Sequence, residues 1–236
     1  MPHLPGSPVY ALMILLGIGI GVAFWIKQGR DDPRIPLIFF GGLVGAFAGA
    51  KLAYLFAEGW LHFDDPNRWL LWLSGKSIMG ALPGGWAGVE LAKKALGYTE
   101  VTGDKFALLI PIPLAMGRLG CLHAGCCQGL PFDGFNWPAV PVELAFQLAA
   151  LGGLLLLRRL CLLSGQHFHL YLIAYGSFRF GHEFLRATPK AMLELSGYQW
   201  VALATVLAAA QAFVVRRREQ MRGTSQEGPC GAKGPG

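Results

Sequence analysis

Residues 35–57 read IPLIFFGGLVGAFAGAKLAYLFA, and only Lys51 in that run is charged. As a helix rising 1.5 Å per residue it would extend about 35 Å, enough to cross roughly 30 Å of hydrocarbon. Soluble helices show a polar face, and this run has none. Gly41, Gly42, Gly45 and Gly49, with Ala46, Ala48 and Ala50, form a small-residue face of the kind that lets membrane helices approach closely.

Similar apolar runs recur near 8–26, 77–96, 104–122, 140–160, 167–186 and 197–215. With 35–57 they predict an all-α polytopic bundle of seven transmembrane helices. Composition agrees: 53% of the 236 residues are hydrophobic and 14% charged, against about 25% charged in soluble domains. No basic segment precedes the first run, which predicts a retained first helix and not a cleaved signal peptide. One membrane domain over 1–216 is expected, followed by a polar tail, 217–236, rich in Gly, Ser and Pro and expected to be disordered.

Basic residues orient the bundle. With the N-terminus outside, thirteen Lys and Arg fall in inner segments, four fall in outer ones (Arg68, Lys76, Arg186, Lys190), and Lys51, Arg118 and Arg179 lie within spans. That asymmetry predicts an outer N-terminus and an inner C-terminus. It also accounts for the pI near 9.2 without a nucleic-acid partner.

A charge at mid-bilayer costs about 2.5–3.5 kcal/mol on insertion scales, so in-span ionisable groups mark candidate sites. They are Lys51, Arg118, Glu143, Arg179, His182 and Glu183, and the topology gathers them toward the outer leaflet. Arg179 and Glu183, spaced i,i+4, can neutralise each other as a structural pair. Two arginines in one outer cavity also suit a lipid phosphate, which guanidinium grips through a bidentate fork.

The densest segment runs from Gly117 to Gly129 and holds Arg118, Cys121, His123, Cys126 and Cys127. Its glycines allow a turn and a close approach to a ligand. The cysteines admit three readings: a disulfide on an oxidising face, a metal site with His123 or His182, or a thiolate favoured by Arg118.

Four separated motifs, in order, resemble the prolipoprotein diacylglyceryl transferase family. Tyr10-Ala11-Leu12-Met13 resembles the opening of its first helix. Ser77-Ile78-Met79-Gly80-Ala81-Leu82 resembles a second motif. Gly117-Arg118-Leu119-Gly120 with Gly125 and Gly129 resembles its signature. Gly165 to Phe168, Leu170 to Ile173, Tyr175-Gly176, Arg179-Phe180 and Glu183 to Arg186 resemble its penultimate helix.

The resemblance implies a seven-helix bacterial inner-membrane transferase with its site toward the outer leaflet. Such an enzyme moves the diacylglyceryl group of phosphatidylglycerol to the thiol of a lipobox cysteine in a prolipoprotein, with no metal or organic cofactor. It implies that Arg118 and Arg179 hold the lipid phosphate, that Tyr10 and Glu183 complete the cavity, and that Met79 and Gly129 line it. Three positions depart from the family pattern: Met79 stands where it has histidine, Cys121 where it has asparagine, and Cys126 where it has glutamate. Acid–base work would then fall to His123, His182, or the thiols of Cys121, Cys126 and Cys127. Two further readings stay open: a divergent transferase using its own thiolate with another lipid or thiol acceptor, and a non-enzymatic membrane protein that binds metal or senses thiol redox.

Overall fold

The computed structural model describes residues 8–30, 32–125, 127 and 129–223. It is a helical bundle: α1 (Pro8–Gln28), α2 (Arg34–Ala57), α3 (Arg68–Ser74), α4 (Ile78–Ala95), α5 (Gly103–Leu109), α6 (Pro111–Ala124), α7 (Ala139–Arg159), α8 (His167–His182) and α9 (Gly197–Gly223). A two-stranded hairpin, β1 (Pro131–Phe132) and β2 (Phe135–Asn136), sits between α6 and α7.

Each of the seven expected spans coincides with helix. Among the described residues, five helical runs are both long and apolar enough to cross a membrane: Ala11–Gln28, Arg34–Ala57, Gly103–Ala124, Ala139–Arg159 and Gly197–Arg222. The other two fall short for separate reasons. In α4, Glu90, Lys93 and Lys94 crowd the last turns of an 18-residue helix. At 16 residues, α8 extends only about 24 Å.

Bulky apolar side chains on the long helices face outward, as with Phe40, Phe47 and Leu52, each more than 60% exposed. Water would oppose that surface and lipid would cover it. The expected span 104–122 is two helices, because Pro111 has no N–H to continue the backbone ladder. A boundary also moves. α9 runs to Gly223, so 217–223 is helical and not disordered. Gln220 ties that extension down, donating to the Ser164 carbonyl at 2.9 Å.

Packing follows the glycines. A Cβ on Gly45 would lie 2.3 Å from the Gly84 carbonyl oxygen, and one on Gly49 would lie 2.3 Å from that of Gly80. Helices α2 and α4 therefore touch backbone to backbone, which only glycine permits. The small-residue face of α2 finds its counterpart in Gly80, Gly84 and Gly88. At the far end of α8, the Asp104 carboxylate accepts from the backbone N–H of Gly165 at 2.6 Å and of His167 at 3.0 Å. A carboxylate there satisfies orphan donors and complements the helix dipole.

Candidate functional site

The C-terminal end of α6, the first turns of α7 and the C-terminal end of α8 meet at one end of the bundle. Glu143, on α7, is 1% exposed and lies at the centre. Arg118 of α6 donates to its Oε1 at 2.7 Å, and Arg179 of α8 donates to its Oε2 at 2.8 Å. The Tyr175 hydroxyl, one turn before Arg179, donates to Oε1 at 2.8 Å. Arg179 also reaches Glu183 at 3.0 Å, the i,i+4 pair legible in the sequence. Thr188 donates to the other Glu183 oxygen at 2.8 Å. Arg186 approaches Glu143 at 4.0 Å and Glu183 at 3.7 Å.

Three arginines thus surround two carboxylates, leaving one excess positive charge. Their hydrogen bonding is incomplete as well. Among the described residues, Arg179 Nε, Arg186 Nε and Arg186 Nη1 are buried with no hydrogen-bond acceptor. Buried charged donors without partners cost several kcal/mol when nothing fills the gap.

The loop after α6 fixes two of these groups. Gly125 ends the helix with φ +63°, in the left-handed region that favours glycine. Gly129 forms an antiparallel bridge with Arg186, and the Leu130 N–H donates to the Leu185 carbonyl at 2.9 Å. Gly129 also donates to the Trp137 carbonyl at 3.2 Å. A Cβ at Gly129 would lie 2.6 Å from that oxygen, so the close approach requires glycine. Trp137 in turn donates its indole N–H to His182 Nε2 at 3.1 Å, while Phe178 stacks on the imidazole at 5.0 Å. Among the described residues, this leaves His182 Nδ1 buried without a hydrogen bond.

The residues expected from sequence fall into three groups. Arg118, Arg179 and Glu183 come together in the charged centre. His182, Gly129 and Cys121 are adjoining: Cys121 is buried, with its sulfur 3.9 Å from an Arg118 nitrogen, and Met79 is buried in the apolar cluster that also holds Tyr171 and Tyr175. His123 does not join them, because it lies exposed on the last turn of α6. Cys127 is partly exposed in the loop. Tyr10 is in the first turn of α1 with its side chain outside the described part, and Cys126 lies outside the described residues altogether. Among the described residues, no three His, Cys, Asp or Glu side chains converge as a metal site requires.

Sequence reasoning flagged Glu143 as an in-span charge without seeing it as the hub. It placed Arg186 outside the spans and did not connect it to the site. Its i,i+3 spacing from Glu183 and its place in the Glu183–Arg186 motif were the available signals.

These features define a helical membrane protein with a buried, arginine-rich polar centre at one end of the bundle. The family model described as prolipoprotein diacylglyceryl transferase matches residues 7–215. The chain belongs to the prolipoprotein diacylglyceryl transferase family, a family of transferases. It is 30% identical to a Clostridium tetani protein over 88% of this chain and 92% of that one. It is 33% identical to one from Bordetella parapertussis over 90% and 92%, and 32% identical to one from Methylobacillus flagellatus over 84% and 82%. Each of these relatives carries the name phosphatidylglycerol–prolipoprotein diacylglyceryl transferase. No solved structure matches the chain.

Proposed function

We propose that this protein transfers the diacylglyceryl group of phosphatidylglycerol to the thiol of a lipobox cysteine in a prolipoprotein. The observation that carries this reading is the unbalanced centre: three arginines, two carboxylates and buried guanidinium N–H groups awaiting an acceptor. A phosphodiester supplies one negative charge and several acceptor oxygens, which is what the centre lacks. The names of the relatives point to the same donor and acceptor.

In the reaction, the thiol sulfur attacks the glyceryl carbon bound to phosphate oxygen. The carbon–sulfur bond forms, the carbon–oxygen bond breaks, and glycerol phosphate leaves with the electron pair. Arg118, Arg179 and Arg186 stabilise the charge that gathers on the departing phosphate, in a site sheltered from water. Glu143 holds the first two guanidinium groups in register and is a positioning residue. The thiol proton needs an acceptor, and Met79 cannot serve. Of the two histidines considered from sequence, His123 is exposed, while His182 is buried on the same helix end as Arg179 and Glu183. With Nε2 accepting from Trp137, the neutral His182 ring carries its proton on Nδ1. Nε2 is the basic atom, and an incoming thiol displaces the indole to reach it.

The same reading places seven spans in a bacterial inner membrane, counting the shorter α4 and α8, with the N-terminus outside and the charged centre toward the outer leaflet. The thirteen-to-four distribution of basic residues supports that orientation. The test is transfer of labelled diacylglycerol from phosphatidylglycerol to a lipobox peptide by the purified protein. Transfer is expected, and its absence from well-folded protein overturns the assignment. Orientation is checked separately with a cysteine placed at exposed Phe135. A membrane-impermeant thiol reagent should label it from outside on intact cells, and labelling only after the inner face is opened refutes the topology.

A further inference from the structure

A second feature has its polar mouth at the other end of the bundle and shares no residue with the arginine centre. An apolar cavity of about 340 Å³ runs between α1, α2, α4, α5, α6 and α8, past Gly21, Phe39, Leu82 and Phe106. It adjoins a more polar recess of about 530 Å³ between α4, α8 and α9. Trp86, Glu90, His169 and Arg216 line both, so the two spaces adjoin across these four side chains. His169 precedes Arg179 by ten residues on α8, an axial separation of about 15 Å.

The apolar part would hold about eleven waters at 30 Å³ each, yet it offers them almost no hydrogen-bond partners. An alkyl chain suits it better. The mouth is polar and electrically balanced. It presents Lys93 and Arg216 against Glu90 and Glu219. Lys93 lies 3.4 Å from Glu90, with only 9% of its side chain exposed. His169 is 5% exposed, and its Nδ1 is buried without a hydrogen bond. The ring itself borders both spaces, which places an imidazole beside the two cations of the mouth.

We propose that this space binds one zwitterionic phospholipid bearing a phosphate and an ammonium, with an acyl chain in the apolar cavity and the headgroup in the mouth. The phosphate lies against Arg216 and Lys93, with His169 donating to one of its oxygens. The ammonium faces Glu90 and Glu219. A headgroup carrying only negative charge would meet those two carboxylates with nothing to offset them, and that selects the zwitterion. This site is separate from the arginine centre and does not depend on the reaction assigned to it.

The test uses the full-length protein in detergent, incubated with equimolar phosphatidylethanolamine and phosphatidylglycerol of identical chains. Native mass spectrometry counts the lipids retained. One phosphatidylethanolamine per chain is expected. Arg216→Gln should weaken its retention about tenfold, the worth of one hydrogen bond to a charged group. Gly21→Leu should do the same by filling the cavity. A Cβ at Gly21 meets nothing closer than Leu109 at 4.0 Å, so the variant is expected to fold, with circular dichroism as the check. Arg179→Gln should leave phosphatidylethanolamine retention unchanged, whereas any phosphatidylglycerol lost in that variant belongs to the arginine centre. Phosphatidylethanolamine retention indifferent to Arg216→Gln and Gly21→Leu, or dependent on Arg179, overturns the proposal. So does phosphatidylglycerol held at least as well in an Arg216-dependent manner.

Discussion

Lys51 and the arginine centre are both cationic sites inside apolar helices, and they end differently. Lys51 donates to the backbone carbonyls of Trp72, Leu73 and Gly75, at 2.7 Å for Leu73 and 3.0 Å for Gly75. An ammonium has three N–H groups, and all three find acceptors at the C-terminal end of α3. Its role is to cap a short helix. In the centre of Arg118, Arg179 and Arg186, charge and hydrogen-bonding capacity both remain after the partners among the described residues are counted. A charge in a membrane helix therefore signals ligand binding only when the fold leaves it unsatisfied. Hydropathy alone flags Lys51 and Arg118 alike, as charges within apolar spans.

The strongest test of that contrast is Glu143→Leu. It strips both Arg118 and Arg179 of their shared carboxylate and leaves buried charge uncompensated, at a cost of about 3–5 kcal/mol. A large drop in the detergent melting temperature is expected. A variant as stable as the parent would mean that the arginines are well solvated and that the centre is not a strained, unbalanced cluster.

Next in size are Arg118→Lys and Arg179→Lys. Each keeps the charge and loses the planar fork, so transfer should fall by about 10²–10³-fold. Melting should change far less than in Glu143→Leu. Lysine variants within a few-fold of wild type would reduce the centre to a diffuse positive potential.

His182→Phe should lower transfer by about 10²-fold if the imidazole takes the thiol proton, while Trp137→Phe should retain most activity. Equal losses from the two would assign the pair to loop positioning, since the indole N–H ties the loop after α6 to His182 of α8.

The smallest effect is expected at Lys51. Lys51→Met should cost about 1 kcal/mol of stability through the frayed end of α3, with transfer unchanged. Loss of transfer in this variant would erase the distinction between the two regions.

Much of this site was legible beforehand. Arg118, Arg179 and Glu183 stood out because a charge in an apolar run has to be explained, and the i,i+4 spacing of the last two forecast their ion pair. Glu143 was visible as a charge but not as the hub, because its partners come from helices 25 and 36 residues away along the chain. Cys121 sits beside Arg118, Cys127 lies in the loop, and Cys126 falls outside the described residues.

The sequence by itself determined the all-helical membrane architecture, the positions of the long apolar helices and the glycine face of α2. These follow from hydropathy, helix rise and side-chain size, which act over a few turns of one segment. Tertiary structure alone decided which charges would be satisfied. Lys51 met backbone carbonyls, two arginines met one glutamate, and Arg186 was brought in by a loop bridged at Gly129. Hydrogen-bond and charge balance depend on distances of about 3 Å between elements far apart in the chain, and no local pattern encodes those distances.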